Sequence, residues 1–364
     1  MTRGLPERGR KEVNMLRNIL YLILDFGIME LILIILVIIN ISTFLLYAID
    51  KRRIGRRIRP ISEEMLILSA LALGGIGAFG GIFLLKNKKK RMLKFRIVAV
   101  LGVIIAVIPI IHIAHGLTLD RIVNYMEVDF TSENWPASLD GYRIAFMTDF
   151  HSIADEDMAE IVAELNQKNI DLLLLGGDFS SDVFSGGVHY QGTLREIAQT
   201  ITTDGIFGVD GNHDYYSSLF RAKVRYGITP LDNSGMQIRE GFYLAGVQDM
   251  LLRNPSISQA VAEASIDDFI LLVSHNPDVT MRQPTAGIDL IVTGHTHGGQ
   301  ITFFGFPFFL LHGSVSAYRT RFAHGFAYSA DDVPVFTSRG IGDYYRWPRI
   351  FARPEVVIFT INSE

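Results

Sequence analysis

The 364-residue chain contains no cysteine. Disulfide bonds, a thiolate nucleophile and cysteine-ligated zinc are therefore excluded, and any metal site has to use nitrogen and oxygen ligands. The same absence does not select a cellular compartment, because a chain without cysteine is compatible with both reducing and oxidising surroundings. The length allows two or three domains and one sizeable hydrophobic core.

Positive charge is scarce in the larger part of the chain. Residues 116–364 contain 16 Lys and Arg against 31 Asp and Glu, a net charge of −15, whereas residues 1–115 carry a net charge of +11. An acidic domain repels a polyanion, and residues 116–364 show no basic stripe of the kind that nucleic acid binding requires. Nucleic acid is therefore a disfavoured partner.

Three long apolar stretches follow a basic N-terminal tail, residues 1–18. They lie at residues 19–49, 65–85 and 97–114. Because roughly 20 apolar residues suffice to cross a bilayer, we predict a transmembrane region over residues 19–115 with three membrane helices. The first stretch is too long for a cleaved signal peptide, and it lacks a small-residue cleavage pattern.

The short basic loops give this region an orientation. With the N-terminus inside, the cytoplasmic segments hold 12 positive residues against 6 on the other face, and the third span then leaves the cell. If the glycine-rich second stretch is re-entrant instead, the N-terminus starts outside, yet the C-terminal domain still lies outside. We therefore expect a multi-pass protein of the cell membrane with an extracytoplasmic C-terminal domain.

After a connector over residues 116–139, apolar strand patterns alternate with amphipathic helix patterns. The alternation predicts an α/β fold in which two sheets pack face to face and helices cover their outer faces. The strand patterns lie at residues 142–147, 170–175, 206–209, 241–247, 269–273, 290–292, 333–337 and 356–361.

Polar side chains that suit metal ligation follow five of these strands. In the segment Gly294-His295-Thr296-His297-Gly298, the glycines leave the backbone free to turn, so that both imidazoles can point into one cleft. Ligand clefts in α/β sheets lie outside the carboxyl ends of the strands, and chance placement rarely fills five such ends. The five groups are Asp149 with His151, Asp178, Asn212 with His213, His275, and His295 with His297.

In this order the five groups resemble the motifs of the calcineurin-like metallophosphoesterases, and most closely their bacterial membrane-associated, phosphodiesterase-like branch. Residues 246–249, 274–278, 338–342 and 353–355 add to the similarity, which covers residues 140–362. The resemblance implies a four-layer sandwich of two packed sheets flanked by helices over residues 140–364. Residues 40–95 resemble a small bacterial membrane-domain family of unknown function, which implies no activity.

The resemblance also implies a ligand set for two divalent ions, which can be Mn, Fe or Zn. The first ion takes Asp149, His151, Asp178 and His297, and the second takes Asp178, Asn212, His275 and His295. His213, next to a ligand, is assigned to protonation of the leaving oxygen. Relatives can orient this histidine with an aspartate at the position that is Ser181 here, so the neighbouring acids Asp182 and Asp214 become candidates for that role.

Two divalent ions about 3.5 to 4 Å apart can hold a bridging hydroxide and clamp a phosphoryl oxygen. The sequence therefore predicts a membrane-anchored phosphoric ester hydrolase that acts on a phosphodiester, phosphomonoester or pyrophosphate bond of a small-molecule, lipid or cell-envelope substrate. The alternatives are a nucleotide or nucleic-acid phosphodiesterase and a non-catalytic envelope protein that binds the metals for structure.

A cluster of five phenylalanines follows the last histidine pair. The simplest interpretation places their side chains in the core of the domain, and the alternative is a lip that faces lipid beside a membrane-proximal site. The cluster consists of Phe303, Phe304, Phe306, Phe308 and Phe309.

Overall fold

The computed structural model describes residues 28–85, 92–151, 153–180, 190–214, 217–343 and 347–364. The chain divides into two compact units, residues 1–117 and residues 118–364. The predicted N-terminal tail and the beginning of the first apolar stretch lie outside the described residues, as does Asp182.

The described part of the first unit is helical. Three of its helical segments are long and apolar enough to cross a membrane: Leu31–Gly55, Glu63–Phe83 and Leu93–Arg121. They correspond to the three apolar stretches of the sequence. Their helices are α1 Ile28–Gly55, α2 Glu63–Ser69, α3 Gly75–Phe83 and α4 Met92–Leu117.

An interruption at Ala70–Gly74 separates α2 from α3, because Ala72 and Leu73 leave the helical conformation there. Asn40 of α1 satisfies backbone groups that the interruption frees: its Nδ2 donates to the Leu73 carbonyl, and its Oδ1 accepts from the Gly77 N–H. Such partners are needed wherever irregular backbone lies at membrane depth. A Cβ on Gly75 would lie 1.8 Å from the carbonyl carbon of Gly102, so the interrupted segment packs against α4 through small residues.

The described residues of the second unit form two six-stranded sheets. The first has the strand order β1-β12-β2-β3-β4-β5 and the second has the order β10-β11-β9-β8-β7-β6. The strands are β1 Asn124–Ser132, β2 Tyr142–Met147, β3 Leu172–Leu175, β4 Ile206–Gly208, β5 Ile228–Pro230, β6 Ser234–Arg239, β7 Phe242–Gly246, β8 Phe269–Val273, β9 Leu290–Thr293, β10 Gly325–Tyr328, β11 Pro334–Thr337 and β12 Glu355–Ser363.

The last four side chains of β2 show why the central strands contain apolar runs. Ile144 and Phe146 belong to the core between the two sheets, whereas Ala145 and Met147 belong to the core on the outer face of the first sheet. Successive side chains of a strand point to opposite faces, and here both faces are buried. The outer core is completed by helices α5 Asp155–Leu165, α6 Tyr190–Ile197 and α7 Ser217–Arg225.

A third core covers the outer face of the second sheet, where it includes Ile257 and Ala260 of the short helix α8 Ile257–Ala260 and Phe322 of a 3₁₀ turn. The layers are thus helices, sheet, sheet, and a final layer of one short helix with turns. The predicted α/β sandwich of two packed sheets is confirmed, with a thinner outer layer on the second sheet.

Two expectations from the sequence need correction. The predicted connector, residues 116–139, contains strand β1, which pairs in parallel with β12 over nine positions. The phenylalanine cluster is not core: all five rings of residues 303–309 are between 51% and 60% exposed. The connector is therefore an integral part of the first sheet, and the aromatic segment lies at the surface.

Candidate metal centre

The candidate ligands lie in five loops at one edge of the sandwich. Strands β2, β3 and β4 run parallel in the first sheet, and β8 and β9 run parallel in the second, so their carboxyl ends carry the five loops. Backbone hydrogen bonds join the first two loops: Asp149 N donates to the Gly177 carbonyl and His151 N to the Asp178 carbonyl, both over 2.9 Å. This edge is where α/β sheets bind ligands.

Five of the candidate ligands have a left-handed backbone conformation. The φ angles are 57° at Asp149, 42° at His151, 56° at Asp178, 72° at His295 and 52° at His297. Such conformations cost of order 1–3 kcal/mol each at residues other than glycine and cluster at functional sites. The surrounding hydrogen bonds therefore hold these side chains in positions that the free chain would avoid.

The first group of ligand atoms comes from Asp149, His151 and His297, and all of them lie within 4.8 Å of one another. The Nε2 atoms of His151 and His297 are 3.0 Å apart, and Nε2 of His297 is 3.3 Å from Oδ1 of Asp149. Nδ1 of His151 lies 3.3 Å from the Ser180 carbonyl, which can only accept a hydrogen bond. Nδ1 therefore carries the hydrogen, and Nε2 presents its lone pair to the group.

The second group comes from Asp178, His275 and His295, again within 4.8 Å. Nδ1 of His275 donates to the Gly176 carbonyl over 2.8 Å, and Nε2 of His295 donates to the Val315 carbonyl over 3.1 Å. The remaining ring nitrogens, Nε2 of His275 and Nδ1 of His295, are 3.3 Å apart.

Oxygen atoms complete this second group. Oδ1 of Asn212 lies 3.0 Å and Oδ2 of Asp178 lies 3.2 Å from Nε2 of His275. With both imidazoles neutral, four acceptor atoms lie close together with no hydrogen between them. They are Nε2 of His275, Nδ1 of His295, Oδ1 of Asn212 and Oδ2 of Asp178. Such an arrangement is unfavourable unless a cation lies between them, and nitrogen and oxygen donors suit Mn, Fe or Zn. The donor set therefore fits a divalent ion.

Asp178 lies between the two groups. Its Oδ2 is also 3.6 Å from Nε2 of His151 in the first group, and its Oδ1 accepts the backbone N–H of His213 over 2.8 Å. A carboxylate in this position can serve ions in both groups.

Electrostatics show that the centre favours added positive charge. Burial opposes charge on His275, but Asp178, Asp149 and Asp249 outweigh it and raise the pKa of His275 well above its usual value. Burial lowers the pKa of His151 to about 4 and that of His295 to about 3, so these imidazoles are neutral and able to ligate. A divalent ion bound there would supply the positive charge that protonated His275 otherwise provides.

His213 lies beside both groups without belonging to either. Its side chain is buried, lines the same cleft, and its ring centroid is 5.2 Å from that of His151 in an edge-to-face arrangement. Asp214 faces the backbone instead: Oδ2 accepts from Asp178 N and Gly211 N, both over 2.8 Å, and Oδ1 accepts from Ser180 N over 3.2 Å. Through these contacts Asp214 joins the loops after β3 and β4.

Two buried groups beside the centre are not among the predicted metal ligands or catalytic residues. Asp249 is 1% exposed and is one of the acids that raise the pKa of His275. Arg349 is 2% exposed, and its guanidinium donates to the carbonyls of Gly342 and Ala352 while Nη2 lies 3.4 Å from Nδ1 of His297. Nε of Arg349 also lies 3.3 Å from Oδ1 of Asp343. No ligand-like spacing marks either residue in the sequence.

A cleft of about 470 Å³ opens onto the centre. Asp178, Asn212, His213, His295 and His297 form its polar part, and its volume is typical of a small-molecule site. Its apolar lining residues are Leu251, Ile301, Phe309, Leu310, Val315 and Trp347. The cleft thus combines candidate metal ligands with an apolar lining.

Comparison with protein families decides the class of this centre. The calcineurin-like phosphoesterase family matches residues 142–299, a range that contains all five loops. Residues 142–299 form a calcineurin-like phosphoesterase domain. The phosphoesterase domain indicates a hydrolase, and the predicted resemblance is confirmed. A second family, of proteins of unknown function (DUF1294), matches residues 40–93 and confirms the resemblance of the N-terminal part.

Several curated proteins are similar to the chain across the phosphoesterase domain. The uncharacterized metallophosphoesterase YkuE of Bacillus subtilis is 26% identical over 63% of this chain and 82% of its own length. An uncharacterized metallophosphoesterase of Helicobacter pylori is 29% identical over 60% of this chain, and a Danio rerio transmembrane protein with metallophosphoesterase domain is 26% identical over 74% of it. The matches span 58% and 63% of these last two proteins, less than two thirds of their length.

Proposed function

We propose that the chain is a membrane-anchored phosphoesterase that uses two divalent ions to hydrolyse a phosphodiester, phosphomonoester or pyrophosphate bond of a lipid or cell-envelope substrate. The observation that carries the proposal is the pair of ligand groups joined by Asp178, at the floor of a cleft with apolar walls. Mn, Fe or Zn fit the nitrogen and oxygen donors. When bound, two such ions supply a nucleophile at neutral pH and neutralise charge on the phosphoryl oxygens.

Different residues would bind the ions, protonate the leaving oxygen and position the loops. Asp149, His151 and His297 would hold one ion, Asn212, His275 and His295 the other, and Asp178 would contribute to both. His213 would give a proton to the leaving oxygen, since its imidazole lines the cleft but lies in neither ligand group. Asp214 would keep the loops of Asp178 and His213 in register through its three backbone contacts.

The apolar walls support an ester with a large apolar group. A small hydrophilic phosphate ester would leave Phe309, Val315 and Trp347 in contact with water, whereas a lipid-linked ester would cover them. The three candidate membrane spans would keep the domain near such lipids and raise their effective concentration. We further propose that the domain lies on the extracytoplasmic side, because the basic loops favour that orientation.

Turnover by the purified full-length chain in detergent tests the proposed function. After removal of metals with a chelator, we expect no hydrolysis of bis(p-nitrophenyl) phosphate, p-nitrophenyl phosphate or a lipid-linked pyrophosphate, and recovery with Mn²⁺, Fe²⁺ or Zn²⁺. A dinucleotide in the same panel tests the nucleotide alternative, which the acidic domain disfavours. Absence of turnover with every substrate and metal would favour a non-catalytic, metal-binding role.

A further inference from the structure

An exposed aromatic segment lies next to the cleft of the second unit. We call residues 303–311 the aromatic lip. Phe306 is 51% exposed, Phe308 and Phe309 are each 60% exposed, and Leu311 is 41% exposed. Contiguous exposed apolar side chains mark an interaction site, because removing apolar surface from water lowers the free energy of the system.

The aromatic lip is continuous with the apolar wall of the cleft. Phe309 and Leu310 line the cleft together with His295 and His297, and they lie in the 3₁₀ turn Phe308–His312. Trp347, also a lining residue, is 47% exposed. A molecule with an apolar chain can therefore contact the lip and the metal centre at once.

The lip also lies close to the point where the chain enters the second unit. The third candidate span ends at Arg121, and Oδ2 of Asp120 accepts the backbone N–H of Phe351 over 2.7 Å. The ring centroid of Phe351 is 5.4 Å from that of Phe304 in the lip. Since a residue spans at most about 3.6 Å along the chain, the segment by which the chain enters the second unit lies within a few residue lengths of the lip.

We propose that the aromatic lip inserts into the lipid bilayer that the spans cross, so that the cleft opens at the membrane surface and receives its phosphoester from a lipid. This inference rests on the proposed function for its substrate, but the docking of the lip stands on exposure and position alone. Tethering keeps the lip near lipid at all times, whereas a second copy or another protein would have to associate. Trp is enriched at the interface between headgroups and acyl chains, and Phe and Leu are among the side chains that interfacial elements bury there.

The two tryptophans of the chain provide a direct test. Trp135 is 2% exposed in the core between the sheets, and Trp347 is 47% exposed at the cleft. The full-length chain is reconstituted into phosphatidylcholine and phosphatidylglycerol vesicles with or without brominated acyl chains. The difference between the wild type and Trp347→Phe isolates the Trp347 fluorescence, and Trp135 serves as the internal reference.

Brominated lipid should quench Trp347 and leave Trp135 unchanged. The double variant Phe306→Ser/Phe308→Ser should reduce the quenching of Trp347 several-fold, because neither residue lines the cleft but both would anchor the lip. Ile201→Ser/Ile266→Ser is the matched control, since these side chains are 71% and 94% exposed outside the lip, and its quenching should equal that of the wild type. Unquenched Trp347 in the wild type, or full quenching in the lip variant, would overturn the inference.

Activity on two esters that release the same product separates this inference from the proposed function. The lip variant should lose turnover of a vesicle-borne p-nitrophenyl ester of phosphatidic acid several-fold, and it should retain turnover of soluble bis(p-nitrophenyl) phosphate. Equal turnover of the lipid ester by the lip variant and the wild type would contradict the inference. No turnover of either ester by the wild type would contradict the diesterase form of the proposed function, while the quenching would still decide whether the lip enters the bilayer.

Discussion

His213 lies in the cleft beside two groups of ligands, but its imidazole belongs to neither group. Its backbone N–H nevertheless donates to the carboxylate of Asp178. The residue is thus held beside the two groups by its main chain, while its imidazole lines the cleft. A histidine with only a structural role in metal binding would have its ring among the ligands.

Replacement of this imidazole should separate metal binding from turnover. We expect His213→Ala to retain both ions and to lose turnover by about 10²- to 10⁴-fold, the usual contribution of general acid catalysis. Metal content by mass spectrometry and kcat with a chromogenic diester measure the two properties. His312→Ala, a change at an exposed histidine outside the cleft lining, is the control. Full activity of His213→Ala would refute its assignment.

The close approach of Gly211 limits the position of the Asp178 carboxylate. A Cβ on Gly211 would lie 2.2 Å from Oδ1 of Asp178, and no real Cβ makes so close a contact. We therefore expect Gly211→Ala to displace Asp178 and to weaken Mn²⁺ binding at least about tenfold, equivalent to about 1.4 kcal/mol. A Mn²⁺ titration of activity gives the apparent Kd.

Gly55→Ala is the control for this substitution, because a Cβ there meets nothing within 4 Å. Unchanged Mn²⁺ affinity in Gly211→Ala would show that the loop relaxes without moving the carboxylate. It would also weaken the conclusion that close packing of the loops fixes the ligand geometry.

At the scale of elements, the central strands were predictable and the edge strands were not. Strands β3 and β8 are fully buried apolar runs, β2 is one apart from half-buried Arg143, and such runs are visible in the sequence. Strand β6, at the edge of its sheet, has mostly exposed or half-buried residues, and β1 pairs with β12 from the other end of the chain. Edge strands of this kind take their structure from their pairing partners, which local sequence does not specify.

Glu355, at the beginning of β12, holds the loop that follows β11. Its side chain is fully buried; Oε1 accepts Arg339 N over 2.9 Å, and Oε2 lies 3.3 Å from Nε2 of His324. Burial opposes ionisation, but His324 and Arg339 outweigh it and lower the pKa of Glu355. The loop in turn packs on the metal centre, because a Cβ on Gly340 would lie 2.6 Å from Cβ of Asp149.

Neutralisation of Glu355 should destabilise the phosphoesterase domain in a pH-dependent way. We expect Glu355→Gln to lower the free energy of unfolding by about 1–3 kcal/mol at neutral pH, the value of a hydrogen bond to a charged group. A lowered pKa means that the stabilisation is present above the usual carboxyl pKa and disappears as pH falls through the folded-state value. Urea unfolding followed by tryptophan fluorescence measures the difference, and a constant difference down to strongly acidic pH would contradict the role.

At the scale of the whole molecule, an apolar helical unit precedes an acidic hydrolase domain. The sequence predicted this division from charge and hydropathy alone, because both properties change sharply near residue 115. It also places candidate metal ligands at the ends of five strands. It could not show which ring nitrogen of each histidine faces the centre, since carbonyls of Gly176, Ser180 and Val315, distant in the chain, fix that choice. Asp249 and the exposed lip likewise depend on tertiary packing.

The basic loops predict the side of the membrane on which the hydrolase domain lies. Alkaline phosphatase fused after Glu364 should be active, and a green fluorescent protein at the same position should be dark, because the positive-inside rule places the domain outside. A fluorescent green fluorescent protein fusion together with an inactive alkaline phosphatase fusion would place the domain in the cytoplasm and contradict this topology. A fusion after residue 59, within the first basic loop, distinguishes three spans from a re-entrant second segment.

Counting bound ions tests the two-ion centre most directly. Native mass spectrometry of the full-length chain with Mn²⁺ should show two ions in the wild type. His297→Ala removes a ligand of the group with Asp149, and His295→Ala removes a ligand of the group with His275, so each variant should retain mainly one ion. Two ions in both variants, or fewer than two in the wild type at saturating Mn²⁺, would contradict a centre in which the two histidines serve different ions.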